Sequence, residues 1–232
     1  MEAGNSPGIG NQLNRPDLDK IDAILFDFDG VVVQSEHVYD VATRNLAAFY
    51  KLDVPPSFFD ANRGISASIF YERFKQTFNL EIDDEELVRK GKEFVWQAFS
   101  NSVYLTAGFQ QFYDKIKAQG KPAALVTATA RSLLDEIFQN SGLQLSFDYV
   151  VTSSDVQQSK PAPDPYLKAC DYLKVNPGST LVIEDSPTGL VSAKTAGCQT
   201  VAITTSYGRD TLKEAHFVVD SFGELEELLT IV

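Results

Sequence analysis

The chain has 232 residues, of which 44% are hydrophobic and 22% charged, and its formal net charge is −12 at pH 7. This length and composition suit a protein with a substantial core, and the negative charge argues against a nucleic-acid partner, because nucleic-acid-binding surfaces are basic. No apolar run approaches the roughly 20 residues that cross a membrane, so we expect no membrane partner.

The N-terminal segment and the cysteines together predict a cytoplasmic protein. Residues 1–20 are polar, rich in Gly, Asn and Pro, and lack the apolar stretch of a signal peptide, so a flexible tail is expected there. Cys170 and Cys198 are the only cysteines, and we expect both to be small core residues. Two thiols make no disulfide framework, which favours a reducing compartment.

Apolar runs that alternate with amphipathic stretches predict a parallel sheet. The runs are Ala23–Phe26, Ala123–Val126, Tyr149–Val151, Leu181–Ile183, Val201–Ile203 and, more weakly, Phe217–Val219. The helical patterns between the later runs are Gly108–Ala118, Arg131–Asn140, Pro165–Leu173 and Pro187–Ala196. Near-continuous apolar strands alternating with helices are typical of an α/β sheet that is covered on both faces. Such sheets bind ligands outside the carboxyl ends of their strands.

One stretch, residues 35–102, breaks this alternation because it contains helical patterns and no convincing strand. The patterns at Ser35–Tyr50, Ala67–Phe78 and Asp83–Phe99 predict three helices. An insertion directly after the first strand lies over the carboxyl end of that strand, as a lid does. We therefore expect a helical domain at residues 35–102 and a core domain built from residues 21–34 and 103–232.

Two aspartates, Asp27 and Asp29, end the first apolar run, and Gly30 follows them directly. On an extended backbone, alternate side chains share a face, so both carboxylates are expected to point the same way. Two acids this close repel each other unless a cation or a phosphoryl group lies between them. The alternative is a surface turn, since Asp-Gly is a common turn pair, but a turn does not explain the apolar run that leads into Asp27.

Three further strand ends or following loops carry polar side chains. Thr127 ends the second run, Lys160 precedes Pro161 after the third, and Glu184 and Asp185 end the fourth. In a parallel sheet these groups converge on the edge that holds the two aspartates. Carboxylates, a hydroxyl and a lysine suit a hard cation with a phosphate partner. The alternatives are a helix cap for the threonine, a surface position for the lysine and a solvated loop tip for the acid pair.

In this order, DFDGVV at residues 27–32, Thr127, Lys160-Pro161 and IEDSPTG at residues 183–189 resemble the four motifs of the haloacid dehalogenase-like phosphatase superfamily. The resemblance extends from residue 23 to about residue 205. The helical insertion is similar to the small cap of that family, placed as in its β-phosphoglucomutase-like branch. The resemblance implies a Rossmann-like core, a helical cap, Mg²⁺ and an aspartyl-phosphate intermediate.

The resemblance also implies a role for each matching residue. Asp27 is expected to attack phosphorus, and Asp29 to protonate the leaving oxygen and then to activate water. Thr127 is expected to hydrogen-bond a phosphoryl oxygen, and Lys160 to offset the negative charge. An acyl phosphate divides one difficult displacement into two easier ones, so these residue types suit the chemistry.

Two sets of binding residues follow from the same resemblance. The expected Mg²⁺ ligands are Asp27, Glu184, Asp185 and, through its backbone carbonyl, Asp29. The expected substrate-binding residues are Gly30, Arg63, Gly64, Thr127 and Ala128. Arg63 and Gly64 occupy the place of the family's substrate-specificity loop in the cap. There Arg63 binds an anionic or polyhydroxylated leaving group, or else is an ordinary solvated arginine.

Departures from the family pattern favour hydrolysis. Ala130 and Arg131 stand where the family's sugar-phosphate mutase keeps a Lys-Asn pair, Tyr39 stands in place of a cap His, and Ala67 lies near a cap Arg position. Asp29 argues against the dehalogenase branch, which lacks the second aspartate. We therefore expect a monomeric, Mg²⁺-dependent phosphomonoester hydrolase that acts on a small phosphorylated metabolite, with sugar phosphates favoured. The alternatives are a phosphosugar mutase and a catalytically inactive binding protein.

Overall fold

A six-stranded parallel sheet lies at the centre of the protein. The computed structural model describes residues 15–62, 65, 67–141, 143 and 145–231. The strands in this part of the chain are β1 (Ala23–Phe26), β2 (Ala123–Val126), β3 (Tyr149–Val151), β4 (Thr180–Glu184), β5 (Gln199–Ile203) and β6 (Phe217–Val219). Their order is β3-β2-β1-β4-β5-β6, and every neighbouring pair is parallel. The predicted α/β class with a Rossmann-like sheet is confirmed.

Helices accompany this sheet along the whole described chain. They are α1 (Glu36–Phe49), α2 (Pro56–Ala61), α3 (Ala67–Thr77), α4 (Asp84–Ser102), α5 (Phe109–Ala118), α6 (Arg131–Ser141), α7 (Asp164–Leu173), α8 (Pro187–Thr195), α9 (Arg209–Leu212) and α10 (Phe222–Leu229). The short helices α2 and α9 and the last helix α10 were not predicted. Among the described residues, no helix is both long and apolar enough to cross a membrane.

The central strand β1 is buried because its residues pack into layers on opposite faces of the sheet. Ile24 and Phe26 belong to the larger apolar cluster, where the ring of Phe26 meets the ring of Phe109 edge-on at 5.5 Å. Leu25 belongs to the second cluster, together with Tyr166 of α7. With both faces covered, all four strand residues are buried, which accounts for the continuous apolar run in the sequence.

The helices α1 to α4, which follow β1 in the chain, have an apolar cluster of their own. Its buried members are Leu46, Ala47, Phe58, Tyr71, Phe74 and Leu87. The two segments that connect these helices to the sheet run side by side. Val33 and Leu105 form an antiparallel bridge, and the amide of Gln34 donates to the carbonyl of Tyr104 at 3.0 Å. The domain boundaries given above stay a prediction.

The N-terminal segment acquires structure earlier than predicted. Residues 1–14 lie outside the described residues, but Leu18–Lys20 forms a short 3-10 helix whose first turn is capped by the Asp17 carboxylate. Leu18 packs into the main apolar cluster. A flexible tail that extends to residue 20 is therefore wrong for its last residues, because an apolar side chain near its end is buried in the core.

Candidate active site

The residues predicted to act together lie at the carboxyl ends of three neighbouring strands and in one further loop. Asp27 directly follows β1, Thr127 directly follows β2, and Glu184 is the last residue of β4. Lys160 comes from the loop between β3 and α7. Strand β1 lies between β2 and β4, at the point where the strand order reverses direction. Ligands of α/β proteins bind at such a switch point.

Lys160 joins two of the acids. Its Nζ donates to Asp27 Oδ1 at 2.6 Å, to Glu184 Oε1 at 2.7 Å and to the carbonyl oxygen of Val126 at 2.9 Å. Burial alone lowers the pKa of Lys160, but the carboxylates of Asp27 and Glu184 outweigh burial and raise it. The ammonium therefore remains charged, and all three of its hydrogens have acceptors. A surface position for this lysine is excluded, since 5% of its side chain is exposed.

Glu184 is fully buried, and both of its carboxylate oxygens have donors. Oε1 accepts from Lys160 and from the hydroxyl of Tyr166 at 2.8 Å. Oε2 accepts from the amides of Asp185 and Ser186, both at 3.1 Å, and from the Ser186 hydroxyl at 2.9 Å. The orientation of this carboxylate is therefore fixed from both sides. A solvated loop tip is excluded for Glu184.

Three buried acids, Asp27, Glu184 and Asp185, form a group that fits a metal cation. One oxygen from each lies within 4.8 Å of the others. Burial raises the pKa of Asp27 to about 7, with Lys160 opposing the shift and the neighbouring acids adding to it. Burial and the nearby carboxylates of Asp27 and Glu184 raise the pKa of Asp185 well above its usual value. A divalent cation relieves this repulsion, and a set of carboxylate oxygens suits a hard cation such as Mg²⁺.

Asp29 lies two residues beyond Asp27, and its carboxyl group is largely enclosed. Its Oδ2 accepts from the hydroxyl of Thr129 at 3.0 Å, whereas Oδ1 is buried and has no hydrogen-bond partner among the described residues. Burial raises the pKa of Asp29, and the nearby hydroxyls of Ser35, Thr129 and Tyr39 only partly oppose that shift. A raised pKa favours the protonated carboxyl group, which is the form that a proton donor requires.

Thr129 is a site residue that the sequence analysis did not identify. Its hydroxyl contacts Asp29, and its amide donates to Thr127 Oγ1 at 2.9 Å, so it connects two of the predicted residues. The signal in the sequence was a second hydroxyl two positions after Thr127.

Tyr39 of α1 was noted only as a departure from the family. Although 37% of its surface is exposed, burial of its hydroxyl and the Asp29 carboxylate raise the pKa of Tyr39 well above its usual value.

Gly30 leaves room for an acid of the metal group. It has φ = +76°, a conformation that favours glycine, and a Cβ atom at this position would lie 1.7 Å from Asp185 Oδ2. This observation explains why a glycine follows the two aspartates, without testing its predicted contact with substrate. Asp185 Oδ2 also accepts a hydrogen bond from the Ser206 hydroxyl.

The predicted substrate-binding residues are only partly described. Thr127 is buried, and Ala128 is exposed in the loop after β2. Arg63 and Gly64 lie outside the described residues. The substrate contacts of all five residues stay predictions.

The fold and the acids define the class of this protein. It is an α/β protein with a Rossmann-like sheet, and its buried carboxylates gather around a lysine at the switch point. A family model described as haloacid dehalogenase-like hydrolase matches residues 24–203, from β1 to the end of β5. The chain belongs to this family. The family and the hydrolase class predicted from the sequence are therefore confirmed.

Several proteins from different organisms are similar over most of the chain. Glycerol-1-phosphate phosphohydrolase 2 of Saccharomyces cerevisiae is 29% identical over 208 residues, which cover 84% of this chain and 79% of that protein. Pyrophosphatase PpaX of Bacillus mycoides is 30% identical over 226 residues, which cover 91% of this chain and 98% of that protein. Phosphorylated carbohydrates phosphatase of Thermotoga maritima is 29% identical, with 78% of this chain and 84% of that protein covered.

Solved structures share the fold. The crystal structure of CbbY from Rhodobacter sphaeroides in complex with phosphate has a TM-score of 0.75 and 23% identity, covering 88% of this chain and 96% of that chain. β-Phosphoglucomutase from Clostridium difficile has a TM-score of 0.72 and 23% identity, covering 90% of this chain and 97% of that chain. At this level of identity, both comparisons establish the fold and leave the reaction open.

Proposed function

We propose that this hydrolase is a Mg²⁺-dependent phosphatase that cleaves the monoester of a small phosphorylated metabolite, favouring sugar phosphates, through an aspartyl phosphate on Asp27. The observation that carries the proposal is the buried ion pair between Asp27 and Lys160, which lies inside a group of acids suited to a cation. Relatives that are named for glycerol 1-phosphate and for phosphorylated carbohydrates support this class of substrate.

In the first proposed step, a carboxylate oxygen of Asp27 attacks phosphorus. The new bond from oxygen to phosphorus forms while the bond from phosphorus to the leaving oxygen breaks. Asp29 donates its proton to that leaving oxygen, and the raised pKa of Asp29 supports this role. Lys160 neutralises part of the negative charge on Asp27 and on the incoming phosphoryl group. When bound by Asp27, Glu184 and Asp185, Mg²⁺ supplies further charge neutralisation.

In the second proposed step, water releases the phosphoryl group from Asp27. Asp29 is now ionised and accepts a proton from the water, whose oxygen attacks phosphorus. The bond between phosphorus and the Asp27 oxygen breaks, inorganic phosphate leaves, and Asp29 is again protonated. Among the described residues, no group is paired with the buried Oδ1 of Asp29, which supports this role because that oxygen is able to bond the leaving oxygen and then the water.

The hydroxyl of Thr127 is able to donate a hydrogen bond to the phosphoryl group. Its Oγ1 already accepts from the amide of Thr129, so its own proton remains to be donated. Among the described residues, no acceptor is paired with that proton. We propose that this hydroxyl donates to a phosphoryl oxygen.

The surroundings of Arg131 support hydrolysis rather than phosphosugar mutase activity. Its Nη2 donates to the Asp155 carboxylate at 2.6 Å and to the Val150 carbonyl at 2.8 Å. This arginine is thus engaged by the protein, and the neighbouring Ala130 has no charge to offer a second phosphate. A mutase has to hold such a second phosphate while the transferred group changes position.

The location is proposed to be a reducing compartment such as the cytoplasm. Cys170 and Cys198 are both buried and free, in agreement with the expected small core residues. Free thiols suit a compartment in which disulfides do not persist. Detection of the protein in a cytosolic fraction tests this part of the proposal.

The decisive experiment measures phosphate release from a panel of phosphorylated metabolites in the presence of Mg²⁺ or EDTA. We expect turnover of sugar and polyol monophosphates with Mg²⁺ and none with EDTA. Asp27→Asn should abolish turnover and leave no phosphate on the protein after rapid quenching and intact-mass measurement. The matched control is Asp171→Asn, which changes an exposed aspartate of α7 and should retain full activity.

Four results would contradict the proposal in different ways. Full activity in a rigorously metal-free preparation would exclude the proposed metal site. A phosphoryl label on Asp27→Asn would exclude Asp27 as the nucleophile. Interconversion of sugar phosphates without phosphate release would indicate the mutase, and binding without turnover on the whole panel would indicate an inactive binding protein.

A further inference from the structure

Tyr166 is a fully buried residue of α7 that contacts the proposed catalytic cluster but has no role in the mechanism above. Its hydroxyl donates to Glu184 Oε1 at 2.8 Å. Its ring lies under the Lys160 ammonium, with 5.0 Å between Nζ and the ring centroid. The residue therefore contacts both the acid and the lysine of the cluster, from the side of the sheet that faces away from α5.

The position of the Lys160 ammonium depends on the balance between its acceptors. Asp27 and Glu184 compete for it at nearly equal distances, 2.6 and 2.7 Å. Tyr166 donates to the same oxygen of Glu184 that Lys160 uses. A second donor on that oxygen lowers its capacity to attract the ammonium and fixes the direction in which it points.

We propose that Tyr166 is a positioning residue that fixes Glu184 Oε1 and thereby holds the Lys160 ammonium against Asp27. The proposal rests on the proposed roles of Lys160 and Asp27. Without the hydroxyl, Glu184 Oε1 keeps Lys160 as its remaining donor. The Asp185 and Ser186 donors still hold Oε2, so Oε1 alone gains freedom to move, and the ammonium shifts toward Glu184 and away from Asp27.

A purely structural role for Tyr166 predicts a loss of stability with no specific effect on Lys160 or Asp27. The chain offers a matched control for this alternative. Tyr113 of α5 is also buried, with 5% of its surface exposed, and its hydroxyl donates to the Ser146 carbonyl at 2.6 Å. This bond has no connection to the acids or to Lys160. Tyr166→Phe and Tyr113→Phe each remove one buried hydroxyl and keep the ring, so a loss of stability common to both says nothing about positioning.

The experiment compares the wild type, Tyr166→Phe and Tyr113→Phe by thermal unfolding, by calorimetric titration with Mg²⁺ and by quenched-flow mass measurement of Asp27 phosphorylation from acetyl phosphate. We expect Tyr166→Phe to slow phosphorylation about 5–50-fold with little change in KM, because the loss falls on the transition state. We also expect its Mg²⁺ affinity to fall about 3-fold or more, since the less restrained Oε1 of Glu184 must be ordered on binding. Tyr113→Phe should match the wild type in both measurements.

Equal phosphorylation rates and equal Mg²⁺ affinities in the two variants would overturn the proposal. A Tyr166→Phe protein that cannot be obtained folded, beside a folded Tyr113→Phe protein, would assign the hydroxyl a structural role and would also overturn it. If the wild type phosphorylates from no donor, the proposed function fails, but the calorimetric comparison still decides the role of Tyr166. Weaker Mg²⁺ binding in Tyr166→Phe alone would then support it.

Discussion

Replacing Gly189 by alanine tests how tightly the Glu184 carboxylate is held. Gly189 lies in the first turn of α8, and a Cβ atom there would lie 1.7 Å from Glu184 Oε1 and 2.3 Å from Oε2. The carboxylate would have to move by about 1.5–2 Å to reach an ordinary contact distance of about 3.5 Å. Because Glu184 is fully buried and accepts hydrogen bonds on both oxygens, such a movement breaks bonds to Lys160 and Tyr166 or to the loop amides.

The balance of free energies is expected to be unfavourable. Alanine gains about 1 kcal/mol over glycine within a helix. Each hydrogen bond lost by a charged group costs about 1.5–3 kcal/mol, so the loss of two gives a net destabilisation of about 2–5 kcal/mol for Gly189→Ala. For a chain of this length the unfolding temperature should fall by about 4–20 °C. Turnover should fall at least about 100-fold, because Lys160 and Asp185 both depend on the position of Glu184.

Gly223→Ala is the matched control for this substitution. Gly223 is also in the first turn of a helix, α10, but its added Cβ would lie 3.6 Å from Ser221 Oγ, which is an ordinary contact. Its stability should be unchanged or raised by up to about 1 kcal/mol. Thermal unfolding and phosphate release are measured for both variants. If Gly189→Ala is as stable and as active as Gly223→Ala, the proposed constraint on Glu184 is refuted.

Three further predictions concern the acids and their neighbours. Thr129→Val should slow hydrolysis of alkyl phosphates about 10–100-fold, and Thr129→Ser should retain most activity, because the serine keeps the donor to Asp29; equal losses in both variants would contradict this. Burial raises the pKa of Asp27 to about 7 and that of Asp185 well above its usual value. Between about pH 4 and pH 7 the folded, metal-free protein then binds more protons than the unfolded chain. Its unfolding temperature in EDTA should therefore fall as the pH rises from 5 to 7.5. A rise of the unfolding temperature over this range, caused by these acids, would contradict the prediction. Asp185→Asn should flatten that fall and remove the stabilisation by Mg²⁺, which unfolding scans with and without the metal will measure.

The strands could be predicted closely because both faces of the sheet are covered. The bounds of β1, β2, β3 and β6 agree with the apolar runs, whereas β4 and β5 are longer, since Thr180, Glu184, Gln199 and Thr200 continue the strands with polar side chains. An apolar run marks buried strand residues and misses polar ones that hydrogen bonds satisfy. The Thr200 hydroxyl, for example, pairs with His216 at 2.8 Å.

The missed helices have different physical reasons. In α10, Phe222, Leu225 and Leu229 have helical spacing and are buried, and Ser221 caps the first turn. The sequence therefore contains the pattern of a capped amphipathic helix at this position. Helix α2 has six residues and begins at a proline, and so short a segment is stabilised by packing rather than by local pattern.

The candidate site could be predicted as a set of residues but not as a network. Strand ends in a parallel sheet converge, which is why Asp27, Thr127 and Glu184 could be grouped from the sequence alone. The contact of Tyr166 with Glu184 joins a helix to a strand end, and its existence depends on the rotation of α7 about its axis. Sequence spacing does not determine that rotation. The hydrogen bond of Thr129 to Asp29 depends in the same way on the path of a loop.

The buried acids of the site lower the stability of the protein, and the same acids are required for its proposed activity. Asp27, Glu184 and Asp185 are buried together, and Lys160 supplies the positive charge bonded to two of them. Burial of unbalanced like charges destabilises a fold, and an apolar or amide replacement would relieve that repulsion. The surrounding core holds the strand ends in place in spite of the repulsion, so the acids remain poised for a cation. Because the acids of an empty site repel one another, binding of a divalent ion relieves that repulsion and stabilises the fold. Part of the metal affinity therefore comes from repulsion that lowers the stability of the metal-free protein.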